Sequence, residues 1–203
     1  MTRRAPTAGN YYDKYGTANP IARRLMRGFL DAFDALVEDV PVADALEIGC
    51  GEGELSIRLA KRGFRVRGCD ISADIIEEAR RRARAAGVEA AFWPQSIESI
   101  DAKAEAAPLV VCCEVLEHVD DPARAIDVLA ELARPHLLAS VPREPIWRAL
   151  NMARGKYLGA LGNTPGHVNH WGRAAFLQLV ARRFEIVRVR SPLPWTMVLC
   201  KRR

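Results

Sequence analysis

The sequence predicts an α/β fold, a doubly wound and mostly parallel sheet with helices on both faces. Three observations predict it. Short apolar runs alternate with helical stretches from residue 43 to residue 141, and a closing pair of runs follows near the end of the 203 residues. One run, Pro108 to Cys113, is apolar throughout, as central parallel strands buried on both faces are. The first run leads straight into Gly49-Cys50-Gly51-Glu52-Gly53, where glycine at every second position lets backbone approach a ligand closely.

The elements follow in order. Residues 1–10 read as a frayed tail, and residues 10–39 as an N-terminal lid. Within the lid, Asn10 to Gly16 carries Tyr11, Tyr12 and Tyr15, and Pro20 opens a helix with an apolar stripe of Ile21, Leu25, Phe29, Phe33, Leu36 and Val37. Ala43 to Ile48 is the first strand. A helix over Glu52 to Arg62 stops at Gly63, the residue a C-terminal cap prefers. Phe64 to Asp70 alternates as the second strand. Ser72 then caps a helix reaching Ala86, with Asp74 in its first turn and Arg80, Arg81, Arg82 and Arg84 in later ones, charges that suit the helix dipole. Val88 to Trp93 and Pro108 to Cys113 are the third and fourth strands. Asp121 and Pro122 start the next helix, and His136 to Val141 is the fifth strand. Arg173 to Arg182 is a further helix, and Phe184 to Arg190 and Trp195 to Cys200 are the final two strands. The chain therefore reads as a single domain over residues 1–203. It carries one long insertion, residues 143–172, in which aromatic and apolar residues alternate with Arg143, Arg148, Arg154 and Lys156; a connection of that length is usually functional.

Composition narrows the class. A hydrophobic share of 49% and a charged share of 27% are those of an ordinary globular chain. No segment is long and apolar enough to cross a membrane, and no apolar stretch follows Arg3 and Arg4 to make a signal peptide. The five cysteines form no C-x-x-C pair and fall mostly in strand-like runs, so buried thiols in a reducing, cytoplasmic compartment are expected. No ligands cluster at metal spacing, so no metal is expected. The net charge of +5 and the arginine run read as a solvated surface, so no nucleic-acid partner is expected.

The glycine loop distinguishes between cofactors. A dinucleotide fingerprint needs glycine at position 54, where Glu54 stands. Glu47, Glu52 and Glu54 oppose a pyrophosphate, which seeks positive potential, and suit a cofactor bearing an ammonium and a sulfonium. Asp70, closing the second strand, can accept hydrogen bonds from both hydroxyls of a ribose.

Taken in order, Glu47-Ile48-Gly49-Cys50-Gly51-Glu52-Gly53, Asp70 and Cys113-Glu114-Val115-Leu116-Glu117-His118-Val119 resemble the successive motifs of class I S-adenosylmethionine-dependent methyltransferases. The nearest branch is the small-molecule group that includes the ubiquinone-biosynthesis O-methyltransferases. The resemblance covers residues 43–141 and, in outline, the last two strands. It implies the Rossmann-like methyltransferase fold, seven strands with the last one antiparallel, and the cofactor S-adenosyl-L-methionine, released as S-adenosyl-L-homocysteine. It implies that Glu47, Gly49, Cys50, Gly51 and Gly53 hold the methionine part and that Asp70 binds the ribose. Ile71, Ser96 and Ile97 would lie near the adenine. Ser96 stands where the family usually has an acidic residue. Cys113 and Glu114 would flank the methionine portion, with Glu117 and His118 on the methyl-transfer face.

The expected activity is methyl transfer to a small-molecule acceptor, at a hydroxyl oxygen. His118 is the first candidate for the base, followed by His167 and His170 in the insertion, since histidine titrates near neutrality. Trp147, Leu150, Met152, Tyr157 and Leu158 could face a lipophilic acceptor or a membrane surface. The alternatives are an RNA methyltransferase using the arginine face and a non-catalytic protein that keeps the fold and the cofactor.

Overall fold

The computed structural model describes residues 19–203; the tyrosine stretch of the lid, residues 10–16, lies outside them. The strands are β1 (Asp44–Ile48), β2 (Arg65–Asp70), β3 (Ala90–Pro94), β4 (Ala107–Cys113), β5 (Ala133–Pro142), β6 (Phe184–Arg190) and β7 (Trp195–Arg202). They form one sheet in the order β3-β2-β1-β4-β5-β7-β6. Neighbours from β3 to β5 are parallel, and β7 runs antiparallel to both β5 and β6. The strand order reverses between β1 and β4, which opens a crevice at their carboxyl ends, the place where such sheets bind ligands.

Among the described residues, six α-helices accompany the sheet: α1 (Pro20–Val37), α2 (Glu54–Ala60), α3 (Ala73–Ala85), α4 (Pro122–Leu132), α5 (Ile146–Ala153) and α6 (Arg173–Ala181). Local chemistry sets their ends. The Asn19 side chain accepts from the backbone of Ile21 and Ala22 ahead of Pro20. Ser72 accepts from Ile75, and Asp121 from Arg124. Each cap satisfies a first-turn N–H that the helix itself leaves without an acceptor. After α2 the chain turns through Gly63, and the Phe64 N–H reaches back to the Leu59 carbonyl.

The period-two alternation of β4 divides the core. Leu109, Val111 and Cys113 pack with α1 and α2 through Phe29, Phe33, Leu36, Leu55 and Leu59. Val110 and Cys112 pack on the other face with Ile126 and Leu129 of α4 and Phe176 and Val180 of α6. Both faces of the strand are therefore dry, as its unbroken apolar sequence requires. All five cysteines are buried and unpaired. Among the described residues, no helix is long and apolar enough to cross a membrane.

Three details depart from the expected outline. β5 begins at Ala133, directly after α4, although Pro135 argues for a start at His136. Proline lacks only its own N–H, and the ladder absorbs this with a register shift between Ala107↔Ala133 and Leu109↔His136. The insertion contains a regular helix, α5, whose Asn151 is buried and donates to the Gly162 carbonyl and the Thr164 hydroxyl. Finally, Trp147 is turned inward, against the rings of Trp195 and His167. The exposed large apolar side chains of the insertion are Met152, Tyr157, Leu158, Leu161 and Val168.

The arginine run of α3 is committed locally. Arg80 pairs with Glu77 and binds the Phe92 carbonyl, Arg81 pairs with Glu78, and Arg82 bridges Glu78 and Glu52. Hydrogen bonds from Arg81 and Arg82 hold the Glu78 carboxyl down at about 2.

Candidate active site

The site is built on the carboxyl ends of β1, β2, β4 and β5. From β1 the chain enters the glycine loop, and the N–H groups of Gly49 and Cys50 both bond the Cys69 carbonyl of β2. Gly49 has φ +69°, and a Cβ there would lie 2.3 Å from the Cγ2 of Val115, so the loop is pressed against the segment after β4. Gly51 has φ +51° and no atom within 4 Å of where its Cβ would stand. These two positions show why the loop needs glycine: one is crowded by protein, and the other faces open space that a ligand can enter.

Asp70 fixes the loop. Its Oδ2 accepts from the Gly51 N–H and its Oδ1 from the Ser72 N–H, each at 3.1 Å. One carboxylate therefore orients the glycine turn and the start of α3 together, and its remaining lone pairs can serve a ribose diol. Ile71 beside it is exposed, while Ile97 is buried. The Ser96 hydroxyl is bonded to the Glu98 carboxylate, which brings an acidic group to the corner where the family residue is missing. A cavity of about 280 Å³ lined by Ile97, Glu98, Asp120, Asp121 and Arg124 opens there. An open face over Gly51, an acidic anchor at Asp70 and a wall at Ile97 suit a cationic adenosyl cofactor.

Glu47 and Glu114 are held within the protein. Glu47 is 3% exposed, and its carboxyl accepts a 2.5 Å hydrogen bond from the buried Ser56 hydroxyl, tying β1 to α2 beneath the loop. Its place is thus under the glycine turn. Burial pushes it up to about 8, against the hydrogen bond from Ser56. Above the usual carboxylate value and below about 8, the folded protein holds a proton that the unfolded chain has released. This group's contribution to stability therefore falls as pH rises through that window. Glu47→Gln removes the titration. Its melting temperature relative to wild type is expected to rise by at least about 4 °C between pH 5 and pH 9 in scanning fluorimetry, and a constant difference would refute the assignment.

Glu114 follows β4 with φ +61°, a backbone conformation that costs a non-glycine residue on the order of 1–3 kcal/mol. Its N–H bonds the Ser140 carbonyl of β5, and its carboxylate accepts from the Ser140 hydroxyl at 3.1 Å and from the Trp195 indole at 2.7 Å. Cys113 beside it is buried. The antiparallel run of β7 makes this possible, because Trp195 opens that strand opposite Pro142.

Beyond Glu114, a single turn, Leu116–His118, meets the insertion. The Glu117 carbonyl accepts from the N–H groups of Val168 and Asn169, and the Asn169 side chain donates to the carbonyls of Leu116 and Val119. The His118 ring bonds the Gly166 carbonyl through Nδ1 at 2.9 Å. These contacts bring Glu117, His118 and His167 together, with one ligating atom from each within 4.8 Å of the others. The His167 ring lies edge-on to His118 at 4.9 Å and stacks on Trp147 at 5.9 Å. His170 points elsewhere, its Nε2 meeting Asn163 Oδ1 at 2.7 Å. Of the three candidate histidines, the structure joins two and sets one apart. Sequence spacing could not reveal the partnership of Glu117 with His167, because 49 intervening residues carry no periodic signal.

A methyltransferase-domain family model matches residues 45–136. The chain is 31% identical over 189 residues to a ubiquinone biosynthesis O-methyltransferase of Xanthomonas campestris pv. campestris (strain B100), the match covering 86% of this chain and 78% of the relative. It is 33% identical over 136 residues to the corresponding Xylella fastidiosa (strain 9a5c) protein, covering 64% of this chain and 53% of the relative, so that match spans about half of the relative's length. Among solved structures, magnesium protoporphyrin IX methyltransferase from Synechocystis PCC 6803 with bound S-adenosylhomocysteine is 25% identical, with a TM-score of 0.71, and the match covers 93% of this chain and 90% of that one. The N-methyltransferase NodS from Bradyrhizobium japonicum WM9 is 19% identical, with a TM-score of 0.66 over 95% of this chain and 93% of its own, a likeness of fold.

Proposed function

Since the chain belongs to the class I S-adenosylmethionine-dependent methyltransferases and takes S-adenosylmethionine as its cofactor, we propose that it methylates a hydroxyl oxygen of a small, apolar acceptor. The observation that carries this reading is the meeting of His118, His167 and Glu117 one turn beyond the loop-facing Val115. An alcohol or phenol must lose a proton as it is methylated, and imidazole accepts protons near neutral pH.

When bound, S-adenosylmethionine supplies an electrophilic methyl carbon, the C–S bond breaking as the bond to the acceptor forms. The protein's share is positioning and proton management. Asp70 and the glycine turn fix the cofactor's place. Glu114, clamped by Trp195 and Ser140, holds the carboxylate edge beside the reacting end. Trp147, with the Trp195 and His167 rings packed against it, offers a wall that excludes water on the acceptor side. Alignment of two reactants in such a site is worth effective molarities of roughly 10⁵ M or more. His118, with His167 beside it, takes the acceptor proton.

The reading is tested by incubating the enzyme and a small-molecule extract with cofactor carrying a deuterated methyl group. A product heavier by one labelled methyl, and cleaved by ether-cleaving but not by amide-cleaving chemistry, is the expected result. Label found on nitrogen, carbon, RNA or protein would overturn the oxygen assignment.

A further inference from the structure

We propose that Arg143 holds an oxyanion carried by the acceptor, a carboxylate or phosphate group at the end away from its reacting hydroxyl. The otherwise apolar substrate of this enzyme then bears one negative group. The proposal deepens the hydroxyl reading above and rests on it for the place of the reacting oxygen.

Arg143 is the first residue past β5, on the strand edge that carries the site. Three backbone contacts fix it there. Its N–H donates to the Pro194 carbonyl at 2.8 Å, it pairs with Trp171 in an isolated bridge, and its carbonyl accepts from the Trp147 N–H at 3.0 Å. It therefore stands where the sheet, the loop ahead of β7 and the insertion meet, a short way along the chain from the Ser140 that binds Glu114. The side chain is half-buried. Its Nε is shut off from solvent and has no hydrogen-bond partner, and among the described residues no ion pair includes Arg143. A guanidinium N–H left dry without an acceptor is unfavourable, and a ligand oxygen relieves it. Nε and one terminal nitrogen together present two parallel N–H groups, the fork that a carboxylate or phosphate takes in a pair of hydrogen bonds.

The neighbouring charges leave Arg143 available. Arg148 donates to the carbonyls of Leu161 and Ala160, and Arg154 to the Leu150 carbonyl and the Asn151 side chain. Glu144, next in the chain, is tied to α5, where its Oε2 accepts from the Arg148 N–H at 3.3 Å. The site's other carboxylates lie across the sheet: Asp70 ends β2, and Glu114 follows β4. In the strand order, β4 separates β1, which feeds the glycine loop, from β5, which leads to Arg143. A cationic cofactor over Gly51 and Asp70 thus meets acids, and a substrate reaching past Glu114 to the end of β5 meets a base.

The experiment uses the full chain saturated with S-adenosylhomocysteine and measures binding by titration calorimetry, so no methyl transfer is needed. The probes are p-hydroxyphenylbutanoate, p-hydroxyphenylbutyl phosphate and the neutral amide of the first. Wild type is expected to bind at least one of the two anions about tenfold or more tighter than the amide, and the tighter anion tells carboxylate from phosphate. That preference should shrink as potassium chloride is raised. Arg143→Gln is expected to bind all three probes alike, with S-adenosylhomocysteine affinity within about threefold of wild type. Arg143→Lys keeps the charge without the fork and should recover only part of the preference. A side chain that merely supported the fold would weaken all three probes together and leave their ratio unchanged. Should Arg143→Gln fail to fold, Arg143→Lys and the salt series on wild type carry the test. A wild type with no preference for either anion, or an Arg143→Gln chain that keeps the preference, overturns the proposal. So does a loss of S-adenosylhomocysteine affinity as large as the loss of the anion, which would give Arg143 to the cofactor's own carboxylate. A labelled product methylated on nitrogen or carbon would sink the hydroxyl reading and leave the probe ratio standing.

Discussion

Asp70→Ala is expected to weaken S-adenosylhomocysteine binding by about 100-fold or more in titration calorimetry. The carboxylate does two jobs at one point. It accepts from Gly51 and Ser72, so its loss frees both the glycine turn and the first turn of α3. Each hydrogen bond to a charged group contributes about 1.5–3 kcal/mol, and each 1.4 kcal/mol is a factor of about ten in affinity. Asp70→Asn keeps one oxygen acceptor and should lie between, about tenfold weaker than wild type. An alanine variant within threefold of wild type would show that the ligand does not depend on this edge of the sheet.

His118→Ala is expected to lower kcat by about 10²- to 10⁴-fold while leaving S-adenosylhomocysteine affinity within a few-fold, as removal of a proton acceptor does. The split between the two readouts separates proton management from support of the loop. His170→Ala serves as the internal comparison, because that ring is bonded to Asn163 and stands outside the cluster. Its kcat should stay within about threefold of wild type. Equal losses in both variants would place the chemistry elsewhere in the insertion.

Much of this molecule is legible before any coordinates. Apolar runs and helix caps identify the elements, because Ser72, Asp121 and Pro122 act on backbone groups next to them in the chain. The glycine loop and Asp70 are legible for a related reason: a turn that must approach a ligand leaves few residues to choose from. What escapes is whatever depends on a distant partner. Glu47 reads as a loop carboxylate, yet its carboxyl belongs with Ser56 inside the fold. Glu114 reads as a cofactor neighbour, and only the reversed direction of β7 shows that Trp195 holds it. Trp147 reads as part of an apolar surface, although its ring lies among Trp195 and His167. His167 and His170 are chemically identical, three residues apart, and are told apart only by Asn163 and His118. In each case the deciding contact spans more than five residues, beyond the reach of helical or strand periodicity.

The join between the insertion and the turn after β4 has a kinetic meaning. Val168, Asn169 and Gly166 meet Leu116–Val119 through five hydrogen bonds, all within two short stretches of chain. Because these bonds share so few residues, they should break in a single event, and the amides of Val168 and Asn169 should exchange with deuterium at one common rate. That event also carries His167 away from His118. Assembly and disassembly of the Glu117–His118–His167 cluster then follow one motion with one frequency. A turnover rate limited by that motion would read out how often the two stretches part.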